Sequence, residues 1–421
     1  MQIHLILLLI MLFQPTGQAD LDQVKDALLI NLQGEKVTAS STGIAKGWDF
    51  SFSGDFSFSS QCQTQSSFVL WTKVPEGNYL VNIVTGSGSN LTVKAESRRL
   101  MVYDHTTLRS DSDTLTFAVN VRTPVINSEE QISLKERELD YLNWDEYLTL
   151  EFAGGCPNIR AITIERATTL PTIFLAGNST VVDQEREPWA SWGQMLPLFL
   201  KSDIVVANFA ESGETLRSFI AAKRLRKIES LIKPGDFLCM EFAHNDQKPG
   251  WTHVEPFTTY QEELMKFVRL ARDSQATPVL ITSTNRRKFD SEGKIINTLE
   301  EYPAAMRELA SREGILLIDL NEMSRQLYET LGVEGSKKAF VHYEKGTFPW
   351  QDKALADNTH FSTYGAFQLA KCVVQAISAS DSPLKTHLAI EESYSPLQPD
   401  DYLSWKWPVT STGSVIKPDG N

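Results

Sequence analysis

The segment Gly177-Asn178-Ser179-Thr180-Val181 places a serine directly after the apolar run Ile173-Phe174-Leu175-Ala176. Far downstream, Asp357-Asn358-Thr359-His360 sets a carboxylate and an imidazole three residues apart. A serine hydroxyl is a weak nucleophile until an adjacent base takes its proton and a third group orients that base. Ser179, His360 and Asp357 are the residue types of such a triad. Two further segments stand between them, Glu211-Ser212-Gly213-Glu214 and Ala243-His244-Asn245-Asp246. Alone, a Gly-x-Ser after a strand is usually a turn, and an Asp-x-x-His is more often a helix-entry hydrogen bond than a catalytic pair. Four segments in order, each at a strand exit or helix entry, reverse that weighting.

The elements that must position these residues change character near residue 170. Before it, short β-rich stretches recur between turn residues: 66–74, 78–85, 91–95, 115–121, 147–152 and 159–166. Such regular short strands predict an antiparallel β-sandwich. After a linker at 167–172, apolar strands (172–176, 204–209, 236–242, 278–283, 315–319) alternate with amphipathic helices (191–200, 215–232, 260–273, 299–312, 363–379). Continuous apolar strands separated by helices imply a parallel sheet covered on both faces. Sites on such sheets form beyond the carboxyl ends of the strands. Ser179, Gly213 and Asn245 each lie just past the end of an expected strand. The expected organisation is a β domain over 20–168, an α/β domain over 172–390, and a tail rich in Pro and Trp, 391–421, packed on the body.

The order of the four segments resembles the SGNH (GDSL-like) hydrolase superfamily, and most closely the rhamnogalacturonan acetylesterase family. The resemblance covers roughly 172–379 and includes Trp192-Gly193-Gln194, Thr284-Asn285-Arg286-Arg287 and Asp357-x-x-His360-Phe361-Ser362-x-x-Gly365-Ala366. The preceding part looks like the galactose-binding-like β domain fused to bacterial members, including Ala95-Glu96-Ser97-Arg98-Arg99-Leu100. The resemblance implies a flavodoxin-like three-layer α/β hydrolase domain with a parallel sheet. It implies Ser179 as nucleophile, His360 as base and Asp357 as the orienting carboxylate. It also implies an oxyanion hole made by the backbone N–H groups of Ser179 and Gly213 and the side-chain amide of Asn245. These types suit the task, because glycine permits close backbone approach and an amide donates without changing charge. His244 is either a substrate contact or a neighbour supporting the site. The sequence departs from the family at Asn178, usually aspartate, and Ala243, usually glycine; neither change removes a proton-transfer group.

The implied reaction is removal of O-acetyl groups from a plant-type polysaccharide or oligosaccharide, foremost pectic rhamnogalacturonan, with no metal or organic cofactor. The competing readings are an esterase acting on xylan or another acyl ester, and a carbohydrate-binding protein without catalysis. A net charge of −13 argues against nucleic acid as partner. Met1 to Ala19 reads as a secretory signal: Leu5 to Phe13 is too short to span a bilayer, and Gly17-Gln18-Ala19 offers small residues for cleavage. Export as a soluble periplasmic or extracellular protein, with no membrane span, is the expectation. Of the four cysteines, Cys62 and Cys156 could pair, while Cys239 and Cys372 read as buried thiols. Asp246 reads as a capping carboxylate beside Asn245. Arg286-Arg287-Lys288 reads as a solvated loop, with an anionic sugar as the lesser alternative.

Overall fold

The structure is a computed structural model that describes residues 67–108, 111–389, 393–409 and 418–419, with the strands Ala27–Asn31, Lys36–Val37, Thr42–Ala45, Trp48–Ser53 and Phe56–Ser57. The expected signal segment, Met1 to Ala19, and Cys62 lie outside the described residues. Cys156 is one half of a disulfide, whereas Cys239 and Cys372 are free and buried. Contacts divide the chain into one unit of Met1–Glu96, Met101–Val121 and Glu146–Thr169, and a second of Ser97–Leu100, Arg122–Asp145 and Leu170–Asn421. The division is therefore not a single cut near residue 170. Two short pieces of the β-rich half belong to the second unit.

The first unit is built from antiparallel sheets. One runs in the order 27–31, 159–166, 77–85, 114–121; the other runs 42–45, 48–53, 68–73, 147–156, 90–95, 99–106. In Gly77–Thr85 burial alternates, so that Tyr79, Val81 and Ile83 point inward, as a sheet packed on one face requires. Val81, Ile83, Ile162 and Ile164 of one sheet share a single core with Leu70, Val93, Leu148 and Leu150 of the other. Each such aliphatic side chain contributes roughly 1.5–3 kcal/mol through burial. The unit is an all-β sandwich.

The second unit carries a parallel sheet whose strands we number within it: β1 (Thr172–Gly177), β2 (Val205–Asn208), β3 (Phe237–Glu241), β4 (Thr277–Ile281) and β5 (Leu316–Ile318). Their spatial order is β2-β1-β3-β4-β5, the flavodoxin-like doubly wound arrangement, in which the order reverses beside β1. Every residue of β1, β2 and β3 is buried, which explains their unbroken apolar character. Phe174 and Ala176 of β1 and Leu238 and Met240 of β3 share a core with Phe219, Leu264, Phe267 and Leu309 of the covering helices. The helix Thr363–Ser378 is N-capped by Ser362, whose hydroxyl accepts from the Gly365 N–H at 3.1 Å.

Some elements differ from the sequence expectation for local reasons. The stretch 215–232 is two helices, Leu216–Ala221 and Arg224–Glu229, broken at Lys223 with φ 63°. The Ala222 carbonyl there accepts from the Ser133 N–H at 3.0 Å instead of continuing a helical ladder. The stretch 191–200 begins as the helix Trp192–Met195 and tightens to a 3-10 turn at Leu196–Phe199, where Pro197 offers no N–H. A helix at Leu320–Gly335, capped by Asp319, and a strand pair Phe340–Tyr343 with Leu355–Phe361 were not foreseen. From the tail, Asp400 pairs with Lys371 at 2.9 Å, and the Trp407 indole donates to Glu187 at 2.8 Å. Among the described residues, no helix is long and apolar enough to cross a membrane.

Candidate active site

Ser179 lies two residues past the carboxyl end of β1, and His360 lies near the end of the strand Leu355–Phe361. Although 181 positions apart, their side chains meet: His360 Nε2 is 2.9 Å from Ser179 Oγ. On the other side of the ring, Nδ1 is 2.7 Å from Asp357 Oδ2. An ionised carboxylate only accepts, so Nδ1 carries the proton and Nε2 is left to accept from the serine hydroxyl. Asp357 Oδ1 accepts from the N–H groups of Thr359 at 2.8 Å and His360 at 3.0 Å. Burial opposes the Asp357 charge, but the hydrogen bond from His360 and those from these two amides outweigh it. They hold the carboxyl well below the usual carboxylate range. All three residues are buried.

The loops after β1, β2 and β3 are tied to one another at the same sheet edge. The Glu211 N–H donates to the Gly177 carbonyl at 3.2 Å, and Asn245 Nδ2 donates to the Glu214 carbonyl at 3.0 Å. The Asn245 amide nitrogen has two hydrogens, so one remains to donate elsewhere. Asn245 Oδ1 accepts from Lys248 Nζ at 2.9 Å, which fixes the amide's orientation. Gly213 has φ 81°, a conformation that favours glycine. Asp246 Oδ1 accepts from the Leu216 N–H at 2.8 Å and so caps the helix that leaves the β2 loop. Burial pushes the Asp246 carboxyl up to about 7. His244 is also buried; its Nε2 donates to the Thr284 carbonyl at 2.8 Å. Burial first, then the Arg286 charge, lowers His244 to about 3, so the ring is neutral, and among the described residues Nδ1 has no protein partner.

Residues to which the sequence reading assigned no catalytic role brace this constellation. Gln184 Nε2 donates to the Ser179 carbonyl at 2.8 Å, and the Gln184 carbonyl accepts from Arg98 Nη1 at 3.0 Å and from Gln194 Nε2 at 2.9 Å. Arg98 also pairs with Glu187 at 2.7 Å, and Arg99 with Asp183 at 2.9 Å. The Ser97–Leu100 segment thus braces the Ser179 loop. The Trp189 indole points at Asp357 Oδ2 from 3.4 Å. Glu241, at the end of β3, receives the Thr180 hydroxyl at 2.7 Å and the Trp192 indole at 2.5 Å, and burial raises its carboxyl to about 7. No local pattern in the sequence names the partners of these residues. Asn178 Oδ1 accepts from the Thr180 backbone N–H at 3.2 Å, so the asparagine shapes the loop. Arg287 is engaged as well, its N–H donating to the Asn358 carbonyl at 2.8 Å and Nη1 to Asn358 Oδ1 at 3.1 Å.

A hydroxyl against an imidazole nitrogen, with the ring itself held by a carboxylate, can attack an ester carbonyl and return the proton to the leaving alcohol. Among the described residues, no group of three or more His, Cys, Asp or Glu side chains could hold a metal ion. Residues 175–366 match the family described as GDSL-like lipase/acylhydrolase. The chain is 41% identical over 222 residues to the rhamnogalacturonan acetylesterase RhgT of Bacillus subtilis, covering 52% of this chain and 95% of that protein. It is 33% identical over 216 residues to a probable rhamnogalacturonan acetylesterase, YesY, of the same organism, covering 50% of this chain and 94% of that one. With the uncharacterized esterase YxiM, also from Bacillus subtilis, it shares 27% identity over 323 residues, 75% of each chain. The extent of these matches, together with a serine just past the end of a parallel strand that meets a histidine and an aspartate from the separate strand Leu355–Phe361, makes the chain a member of the GDSL-like lipase/acylhydrolase family and a carboxylic ester hydrolase.

Proposed function

We propose that this chain is a carbohydrate esterase that removes O-acetyl groups from acetylated pectic rhamnogalacturonan. In this reading Ser179 is the nucleophile, His360 the general base and Asp357 the residue that orients it. The observation that carries the reading is the run of contacts from Ser179 Oγ to His360 at 2.9 Å and from His360 to Asp357 at 2.7 Å. Ser179 Oγ attacks the acetyl carbonyl as its proton passes to His360 Nε2. The N–H groups of Ser179 and Gly213 and the free hydrogen of Asn245 Nδ2 receive the oxyanion. Collapse breaks the ester bond, and His360 gives its proton to the departing sugar oxygen. A water then attacks the acetyl-serine with His360 again as base, which releases acetate and restores the hydroxyl. No step calls for a metal or an organic cofactor. The β-sandwich is a galactose-binding-like domain in this reading, and Met1 to Ala19 directs export.

The relatives named for rhamnogalacturonan acetyl esters support the choice of glycan. The test is acetate release from acetylated rhamnogalacturonan, acetylated xylan and para-nitrophenyl acetate, by the wild type and by Ser179→Ala. Wild-type release fastest from rhamnogalacturonan, and abolished in the variant, is expected. Faster release from xylan would replace the substrate. Undiminished release by Ser179→Ala would remove the nucleophile.

A further inference from the structure

Beside the Gly213 loop lies a cavity of about 280 Å³ lined by Arg137, Tyr141, Gln184, Trp189, Ser212 and Asp419, among others. Each of three lining residues is one step from the reacting groups: Gln184 holds the Ser179 carbonyl, Trp189 faces Asp357, and Ser212 precedes Gly213. Arg137 is fixed from behind. Its Nη2 donates to Glu211 Oε1 at 2.6 Å and to the Ser212 carbonyl at 2.8 Å, and its Nε donates to Glu211 Oε1 at 3.1 Å. Those bonds leave Nη1 turned away from Glu211, and there it meets the carboxylate of Asp419, near the chain's end. Asp419 also stands against the oxyanion loop, since a Cβ built on Gly213 would be 3.1 Å from Asp419 Cβ and 3.5 Å from Lys135 Nζ. Lys135 is held by Glu214 at 2.9 Å and donates to the Ser212 carbonyl. Asp419 is 63% exposed and Arg137 30%, so the contact lies at the mouth of the cavity, where a solute can reach it.

We propose that Arg137 Nη1, steadied by Glu211 and backed by Lys135, is a carboxylate-binding subsite for a uronic acid residue of the glycan chain, and that Asp419 occupies it when no glycan is bound. The proposal rests on the esterase reading above and deepens it by assigning the substrate's charge. A guanidinium locked on one edge loses little freedom when its other edge takes a carboxylate, which suits it better than a free lysine. Burial raises the Glu211 and Glu185 carboxyls to about 7, so mildly acidic solution leaves this corner more positive and better suited to an anionic sugar. The tail carboxylate and the sugar carboxylate compete for the same nitrogen.

The experiment is inhibition of para-nitrophenyl acetate hydrolysis by digalacturonate and, as the neutral control, xylobiose. It uses the full chain as wild type, Asp419→Asn and Arg137→Gln. Digalacturonate is expected to inhibit the wild type competitively and xylobiose not to. Asp419→Asn should tighten digalacturonate about threefold to tenfold, and Arg137→Gln should weaken it about tenfold or more, as loss of a partly exposed charge-assisted contact predicts. Equal inhibition by both disaccharides, or an inhibition constant unchanged in Asp419→Asn, would overturn the proposal. The Asp419→Asn arm settles it even if Arg137→Gln fails to fold, because Asp419 is exposed. A wild type that does not hydrolyse para-nitrophenyl acetate would instead refute the esterase reading.

Discussion

Replacing Asp357 by asparagine tests the proposed triad where the geometry constrains it most. Asn is nearly isosteric, but its two terminal atoms are not equivalent. In the wild type Oδ1 accepts two backbone N–H groups, those of Thr359 and His360, while Oδ2 accepts from His360 Nδ1. An Asn amide nitrogen cannot occupy the Oδ1 position without facing two donors, which forfeits two hydrogen bonds of about 1 kcal/mol each and adds repulsion. The amide therefore settles with its oxygen on the backbone and its nitrogen toward Nδ1. His360 must then accept at Nδ1 and carry its proton on Nε2, which faces Ser179 Oγ. A protonated Nε2 cannot take the serine proton. We expect kcat on para-nitrophenyl acetate to fall by about 10³–10⁴, equivalent to about 4–5.5 kcal/mol of transition-state stabilisation. KM should move little, because the carboxylate touches no substrate. Steady-state kinetics with a parallel circular-dichroism melt is the assay. A folded Asp357→Asn protein with kcat within about tenfold of wild type would refute the tautomer argument.

Asn245→Ala should lower turnover by about two to three orders of magnitude, and should also cost about 1–2 kcal/mol of stability by leaving the Glu214 carbonyl unpaired; near wild-type turnover in a folded protein would exclude Asn245 from the oxyanion hole. Gly365→Ala should destabilise by about 3 kcal/mol or more, because the new Cβ would fall 1.9 Å from the Ala339 carbonyl oxygen; an unchanged melting temperature would contradict this packing. For Asp246→Asn the prediction concerns pH. Burial raises the folded Asp246 carboxyl from 3.8 to about 7, so the folded state holds the proton more tightly, and its contribution is present below the unfolded value and lost as pH rises through the folded one. The variant should gain on the wild type between about pH 4 and pH 8, by an amount on the order of 4 kcal/mol, read from melting temperatures across that range. A constant difference across that range would show that the carboxyl is ionised in the fold.

Periodicity carried much of the fold. Unbroken apolar runs such as Ile173–Ala176 announce strands covered on both faces, and Tyr79, Val81 and Ile83 announce a sheet covered on one. These patterns are local consequences of burial, so the chain displays them before it folds. Where a distant group competes for a backbone atom, local pattern misleads: the Ser133 N–H takes the Ala222 carbonyl and splits a stretch that reads as one helix. Ser179, Gly213, Asn245, Asp357 and His360 could be singled out because they stand at element ends or in a short spacing.

The sequence by itself determined the strand and helix periods, the position of a serine at a strand exit, and the Asp-x-x-His spacing that lets one carboxylate reach its own imidazole. Only the tertiary structure decided that His360 Nε2 reaches Ser179 across 181 positions, that Gln184 and Arg98 brace the Ser179 loop, and that Asp419 meets Arg137 beside Gly213. The physical reason is range. Periods and caps follow from contacts within a few residues, whereas a polar side chain's partner is whichever group the packed sheet and helices bring within about 3 Å of it, and its sequence separation leaves no trace in either local pattern.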